Sequence, residues 1–233
     1  MTALTARQYW EHVRDHALTP KLAEALYFLQ EALTTMPDRK IKVGVTGGPS
    51  HVMYTDASTL TKGGLRLGLL LLEEGKQGLC SVYDVPQWVV DAWELRTTYI
   101  GQGELLAGPL AMLLHEQAMK GRYVTWYVDN TSAVSALIKT CSPTADNSPM
   151  ALVSGLMAAR AQMRIWYEWV PTHQNESDGL SRDGYDDPYV QHQLATGAWG
   201  SVQPVVDWNE VVGHNLLHTL KLVRRWGSEA ETE

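Results

Sequence analysis

Residues 122–139 read RYVTWYVDNTSAVSALIK. The first half alternates aromatic and β-branched residues and is predicted to be a strand that ends at Asp129. The second half is predicted to be a short helix. A strand that passes directly into a helix belongs to a sheet with parallel, helix-linked strands. Downstream, a helix through about Arg160 starting at Ser148-Pro149, then the strand MRIWYEWVP (163–171), repeat the helix–strand order. A last short helix follows in NESDGLSRDG (175–184), with Asn175 as its N-cap and Asp178 at its third position, where the helix dipole favours a carboxylate.

Upstream the pattern changes. HVMYTDA, LRLGLLLLEE and QGLCSVYDV are three apolar runs separated by short turns, and they read as an antiparallel meander. Alternation along the first puts Val52, Tyr54 and Asp56 on one face and Met53, Thr55 and Ala57 on the other. PQWVVDAWELRTT (86–98) is a helical insertion, and GELLAGPLAMLLHEQAMK (103–120) a long helix opened by Glu104, with Pro109 marking a kink or an early turn. The fold class is therefore α/β: a five-stranded mixed sheet, antiparallel meander plus parallel strands, flanked by helices. An N-terminal helical extension occupies 1–45, the sheet domain 46–190, and a C-terminal helical extension and tail 191–233. In the first extension Thr19-Pro20 starts a helix whose Leu22, Leu26, Leu29 and Leu33 recur at helical spacing and pack one face.

The chain has 233 residues, 45% hydrophobic and 19% charged, in keeping with a soluble globule. Only Cys80 and Cys141 are present, which implies no disulfide framework or cysteine zinc site and fits a reducing intracellular setting, cytoplasmic or nuclear. No apolar run reaches bilayer length, so no membrane partner is expected. A formal net charge of -7 argues against affinity built on a broad basic surface, although Lys139, Arg160, Arg164 and Arg182 are candidates to line a site. Further basic residues, Lys221, Arg224 and Arg225, lie near the C-terminus.

Four acids mark the ends of apolar segments: Asp56, Glu104, Asp129 and Asp178. Strand ends and helix starts that meet at one sheet edge are where α/β folds place their chemistry. Four converging carboxylates without cysteine or paired histidines suit hard cations such as Mg²⁺, or Mn²⁺. Two such ions serve phosphodiester hydrolysis, one activating a water and the other stabilising the leaving oxygen. The opposing expectation is four solvated surface acids.

The words around these acids, YTDAS, IGQGELLA, WYVDNTSAVSALIK and WVPTHQNESDGLSR, resemble the ribonuclease H domain of reverse-transcriptase-bearing retroelements, most of all the tyrosine-recombinase retrotransposon type. The resemblance spans about residues 51–184. It implies an RNase H-like fold and two-metal cleavage of the RNA strand of an RNA–DNA hybrid, with Asp56, Glu104, Asp129 and Asp178 as ligands of two Mg²⁺ or Mn²⁺ ions. It also implies a reverse transcriptase or other mobile-element protein as a partner, docked through the N-terminal helix. Two alternatives stay open: a catalytically weak nucleic-acid- or protein-binding module, and a related two-metal nuclease acting on DNA.

Ser58 and Asn130 are candidates to hydrogen-bond a ligand carboxylate or substrate phosphate, or else to cap turns. Arg182, one turn from Asp178, is a candidate to pair with it or to reach a phosphate. His173 precedes Asp178 by five residues, whereas the mobile histidine of cellular members stands about ten before the last aspartate. It is read either as an aid to leaving-group protonation or product release, or as a loop residue. Among the nine tryptophans, Trp126, Trp166 and Trp169 are expected in the core, and Trp88 and Trp93 on a contact surface. Asp183, Asp186 and Asp187 are expected in a solvated turn.

Overall fold

The computed structural model describes residues 20–35, 51–61 and 63–211. The elements in order are α1 (Pro20–Thr35), β1 (His51–Thr59), β2 (Leu65–Glu73), β3 (Gly78–Asp84), α2 (Gln87–Asp91), α3 (Ile100–Leu114), α4 (Glu116–Met119), β4 (Tyr123–Val128), α5 (Thr131–Lys139), α6 (Asn147–Arg160), β5 (Arg164–Trp169), α7 (Asp178–Arg182), α8 (Pro188–Ala195), β6 (Trp199–Ser201) and α9 (Trp208–Val211). They build a mixed sheet of order β5-β4-β1-β2-β3-β6. The meander β1–β2–β3 is antiparallel, and β4 and β5 add in parallel beside β1. This is the α/β mixed sheet expected from the sequence, with one strand more. β6 pairs in parallel with β3 over three residues, too few to show an alternation pattern.

Each face of the sheet has its own core. On one, α3, α5 and α6 bury Met53, Leu67, Leu69, Leu106, Leu110, Trp126 and Met150 among others. On the other, α7 and α8 cover Leu70, Cys80 and Val82 with Leu180, Val190 and Trp199. Strand alternation divides the side chains: Met53 and Ala57 belong to the first core, and Tyr54 packs against the second.

Two close approaches bring these layers to the sheet. Gly68 pairs with Asp56 across β1 and β2. A β-carbon at Gly68 would lie 2.6 Å from the Ser181 backbone nitrogen and 2.7 Å from the Ser177 carbonyl oxygen, so only glycine admits α7 at this depth. On the opposite face, a β-carbon at Gly103 would lie 2.9 Å from Ala57 Cβ, which seats α3 directly on β1.

Several expectations are corrected by packing. In α1 it is Phe28 that is buried, with Ala32 packed beside it, whereas Leu26, Leu29 and Leu33 are exposed. The side of α1 that is buried is not the one these leucines mark. The expected helix over 86–98 is only the five residues of α2. The long helix expected over 103–120 begins at Ile100, runs through Pro109, and is broken at His115 before α4. Trp126 is fully buried, but Trp166 and Trp169 are 69% and 47% exposed, because β5 is the last strand of the sheet. Trp93 is buried and Trp88 exposed. Asp187 is an N-cap, accepting from the N–H groups of Tyr189 and Val190 at the start of α8. Residue 190, the expected domain limit, falls inside α8. Most of the two expected extensions, including Lys221, Arg224 and Arg225, lies outside the described residues.

Gly68→Ala should lower stability by about 1–3 kcal/mol, since backbone of α7 must move. Denaturant unfolding measures this; an unchanged midpoint would show that α7 is not held at this depth.

Candidate metal centre

β1 and β4 are parallel with Thr55 opposite Val128, so the next residues lie side by side, Asp56 still within β1 and Asp129 just past the end of β4. Glu104 reaches the same point from α3, which Gly103 seats against Ala57. It stands one turn inside that helix rather than at its opening, because the helix starts at Ile100. One carboxylate oxygen from each of Asp56, Glu104 and Asp129 lies within 4.8 Å of the others, a grouping able to hold a metal ion. The expectation of four solvated acids fails for two of these: Asp56 and Glu104 are buried, at 3% and 2% exposure.

Burial is costly for a carboxylate, and the surrounding bonds only partly offset it. Glu104 Oε1 accepts the Ala57 N–H at 3.1 Å, no neighbouring group donates to buried Oε2, and the Asp56 and Glu104 carboxyls share a hydrogen bond when one of them is protonated. Asp56 accepts from Ser181 Oγ on α7, and from Asn175 Nδ2 at 3.4 Å. The same Asn175 amide donates to the Thr55 carbonyl at 3.1 Å, and its Oδ1 accepts from Ser177. Asn175 therefore ties the turn before α7 to the end of β1. It does not cap the helix, whose N-cap is Ser177, and Asp178 is the first helical residue. Burial raises the Asp56 carboxyl to about 7, with the charges of Asp129 and Asp178 adding to it and the Ser181 hydrogen bond opposing. Burial, then the neighbouring Asp56 and Asp129 charges, hold Glu104 well above the usual carboxylate range.

Asp178 lines the same groove, of about 750 Å³, but does not join the group of three. Both its oxygens accept from Arg182 Nε at 2.8 Å, one helical turn away. Ser58, Asn130 and Arg182 also line the groove. Ser58 Oγ donates to the Ser181 carbonyl, and Asn130 Oδ1 caps α5 by accepting from Ser132 and Ala133. His173 lies elsewhere, in a short 3₁₀ turn (Thr172–Gln174) lining a neighbouring groove that shares Thr172 and Asp178. Of the four basic candidates, only Arg182 is in the site. Arg160 pairs with Glu116, Arg164 begins β5, and Lys139 ends α5, all removed from the groove. Sequence reasoning missed Ser181 and the true role of Asn175. The LSR and HQN words contain both, but nothing local says that they turn toward Asp56.

No protein-family model matches the chain, and no curated relative does. Among solved structures it is similar to the N-terminal RNase H domain of rv2228c of Mycobacterium tuberculosis, solved as a fusion with maltose-binding protein. That match has 16% identity and a TM-score of 0.40 and covers 64% of this chain and 99% of the other. It is also similar to RNase H1 of the halophilic archaeon Halobacterium salinarum NRC-1, at 14% identity and a TM-score of 0.43, over 59% and 98% of the two chains.

In metal-free protein the raised Asp56 carboxyl makes folding less favourable when it ionises. Its folded value of about 7 exceeds the ordinary 3.8, so the contribution to stability is present below about 4 and is lost as pH rises through about 7. Chelated wild type should therefore lose stability over this window, and Asp56→Asn should flatten the loss. Unfolding curves recorded against pH decide it; parallel profiles for the two proteins would remove Asp56 as the cause.

Proposed function

We propose that this chain is a metal-dependent endonuclease that hydrolyses the RNA strand of RNA–DNA hybrids, with Asp56, Glu104, Asp129 and Asp178 holding two Mg²⁺ or Mn²⁺ ions. The observation that carries the reading is the three-carboxylate group, with a buried Glu104 oxygen to which no neighbouring group donates. A structural ion pair would supply a cationic side chain there; a hard divalent cation fits this donor set instead. The order of the four acids and the words around them support the retroelement RNase H assignment, and the mixed sheet is the one it implies.

Bound there, divalent cations supply an activated water and charge stabilisation for the leaving oxygen. The chain's own residues prepare for this. Ser181 and Asn175 fix the orientation of the Asp56 carboxylate, and the Ala57 N–H fixes one Glu104 oxygen. Asp178, already matched by Arg182, stands at the groove rim, where the Arg182 guanidinium is the cation available to a backbone phosphate. Recognition of the hybrid rests on backbone shape and 2′-hydroxyls. The exposed leucines of α1 support the further reading of that helix as a docking surface for a reverse transcriptase or other mobile-element protein. No helix among the described residues is long and apolar enough to cross a membrane.

Labelled RNA–DNA hybrid incubated with Mg²⁺ or Mn²⁺ tests the activity. Wild type should cut the RNA strand, leaving a 3′-hydroxyl and a 5′-phosphate, and Asp56→Asn should abolish cutting. Equal cleavage by both would end the assignment of Asp56, and no cleavage by either would favour a binding module. Preference for all-DNA duplex over hybrid would place the enzyme among DNA nucleases. In calorimetric metal titration, Ser181→Ala should weaken Mg²⁺ binding about 10–100-fold, as loss of a hydrogen bond to a ligand does; unchanged affinity would show that Ser181 does not orient Asp56 for metal.

A further inference from the structure

Among the described residues β5, RIWYEW, forms one edge of the sheet. The Arg164 N–H donates to Arg122 in front of β4 and the Val170 N–H to Val128 at its end. By alternation the backbone of Trp166 and Glu168 also turns to β4, and that of Ile165 and Tyr167 turns to the open edge. Such an edge templates pairing with another chain unless lysine, proline or a bulge blunts it. β5 holds no lysine or proline and keeps regular register with β4 over its whole length. Apolar surface gathers beside it: Trp166 and Trp169 are exposed, Ile138 of α5 is 60% exposed, and a groove of about 370 Å³ follows the strand past Ile138, Ala158, Met163 and Ile165.

The strand is self-complementary about one residue. Laid antiparallel on a second copy with the two-fold axis at Trp166, Arg164 of one copy faces Glu168 of the other, Ile165 faces Tyr167, and Trp166 faces Trp166. Ile165 and Tyr167, whose backbone groups point outward, become the hydrogen-bonded pairs. Trp166–Trp166 and Arg164–Glu168 fall at the closer, non-hydrogen-bonded positions, with their side chains on one face. Moving the axis by one residue either way loses both charge matches. Within one chain these side chains are already held on that face. The Arg164 guanidinium lies 4.9 Å from the Tyr123 ring centroid, and Trp166 Nε1 donates to Glu168 Oε2 at 2.9 Å.

We propose that β5 is the interface of a homodimer, in which two copies pair antiparallel about Trp166 to form one continuous sheet. The contact is isologous and closes on itself. The two-fold reverses strand direction, so the two carboxylate grooves, at the carboxyl ends of β1 and β4, face opposite ways and both stay open.

Sedimentation velocity over a concentration series tests this with the full chain. Wild type should reach a dimer. Arg164→Glu should raise the dissociation constant about ten-fold or more, because symmetry counts each repulsion twice. Glu168→Arg should act alike, and the double variant R164E/E168R should restore wild-type association. Ile165→Pro, which removes an outward N–H but no donor to β4, should abolish dimers. Circular dichroism checks the fold, and if one single variant does not fold the other charge reversal decides. A wild type that stays monomeric throughout overturns the proposal. So does a dimer indifferent to the single charge reversals, or a double variant that fails to restore association.

Discussion

Mutual repulsion and desolvation of carboxylates at one sheet edge are the constraint to which the rest of the structure answers. Asp56, Glu104 and Asp129 bring oxygens within 4.8 Å of one another, and two of the three are buried. In water such groups would separate and hydrate; here the strands and α3 hold their backbones in place. The arrangement tolerates this charge by raising the affinity of Asp56 and Glu104 for protons, and it leaves one Glu104 oxygen to which no neighbouring group donates. A grouping of this kind could hold a metal ion.

The surrounding fold is shaped to keep that site rigid. Gly68 and Gly103 are small because helices press on β1 from both faces at this level. α7 arrives close enough for Ser181 to donate to Asp56, and Asn175 joins the preceding turn to the Thr55 carbonyl. The second core, with Leu180, Val190 and Trp199, holds α7 down. A three-residue strand, β6, extends the sheet beneath that core. The short C-terminal elements thus act on the site through packing, without touching the acids.

The opposite edge has a different logic. β4 and β5 carry Trp126 and Trp166 on opposite faces of the same sheet, and their fates diverge. Trp126 faces α3 and α6 and donates its indole N–H to Thr55 Oγ1. Trp166 projects from the last strand, on the face that α7 and α8 cover over β2 and β3 but on which they do not extend as far as β5. Exposed aromatic surface at a strand edge unpaired among the described residues, flanked by opposite charges, is what the proposed dimer would cover.

The amino-acid sequence by itself determined most of the element types, the meander followed by helix-linked strands, and the placing of the four acids in or beside those elements. These are local properties: alternation, turn residues and the words around each acid are all legible within ten residues or so. Tertiary structure alone decided which acids converge. Asp178 and Asp129 look alike as strand-end or helix-start acids, yet one is matched by Arg182 and the other joins the cluster. It also decided that Asn175 braces Asp56 instead of capping a helix, that Leu26, Leu29 and Leu33 of α1 face outward, and that two tryptophans of β5 lie at the surface. Each of these depends on which element lies across the sheet and how closely it approaches. That distance is set by contacts between residues far apart in the chain, such as Gly68 with Ser181, and no local pattern encodes it.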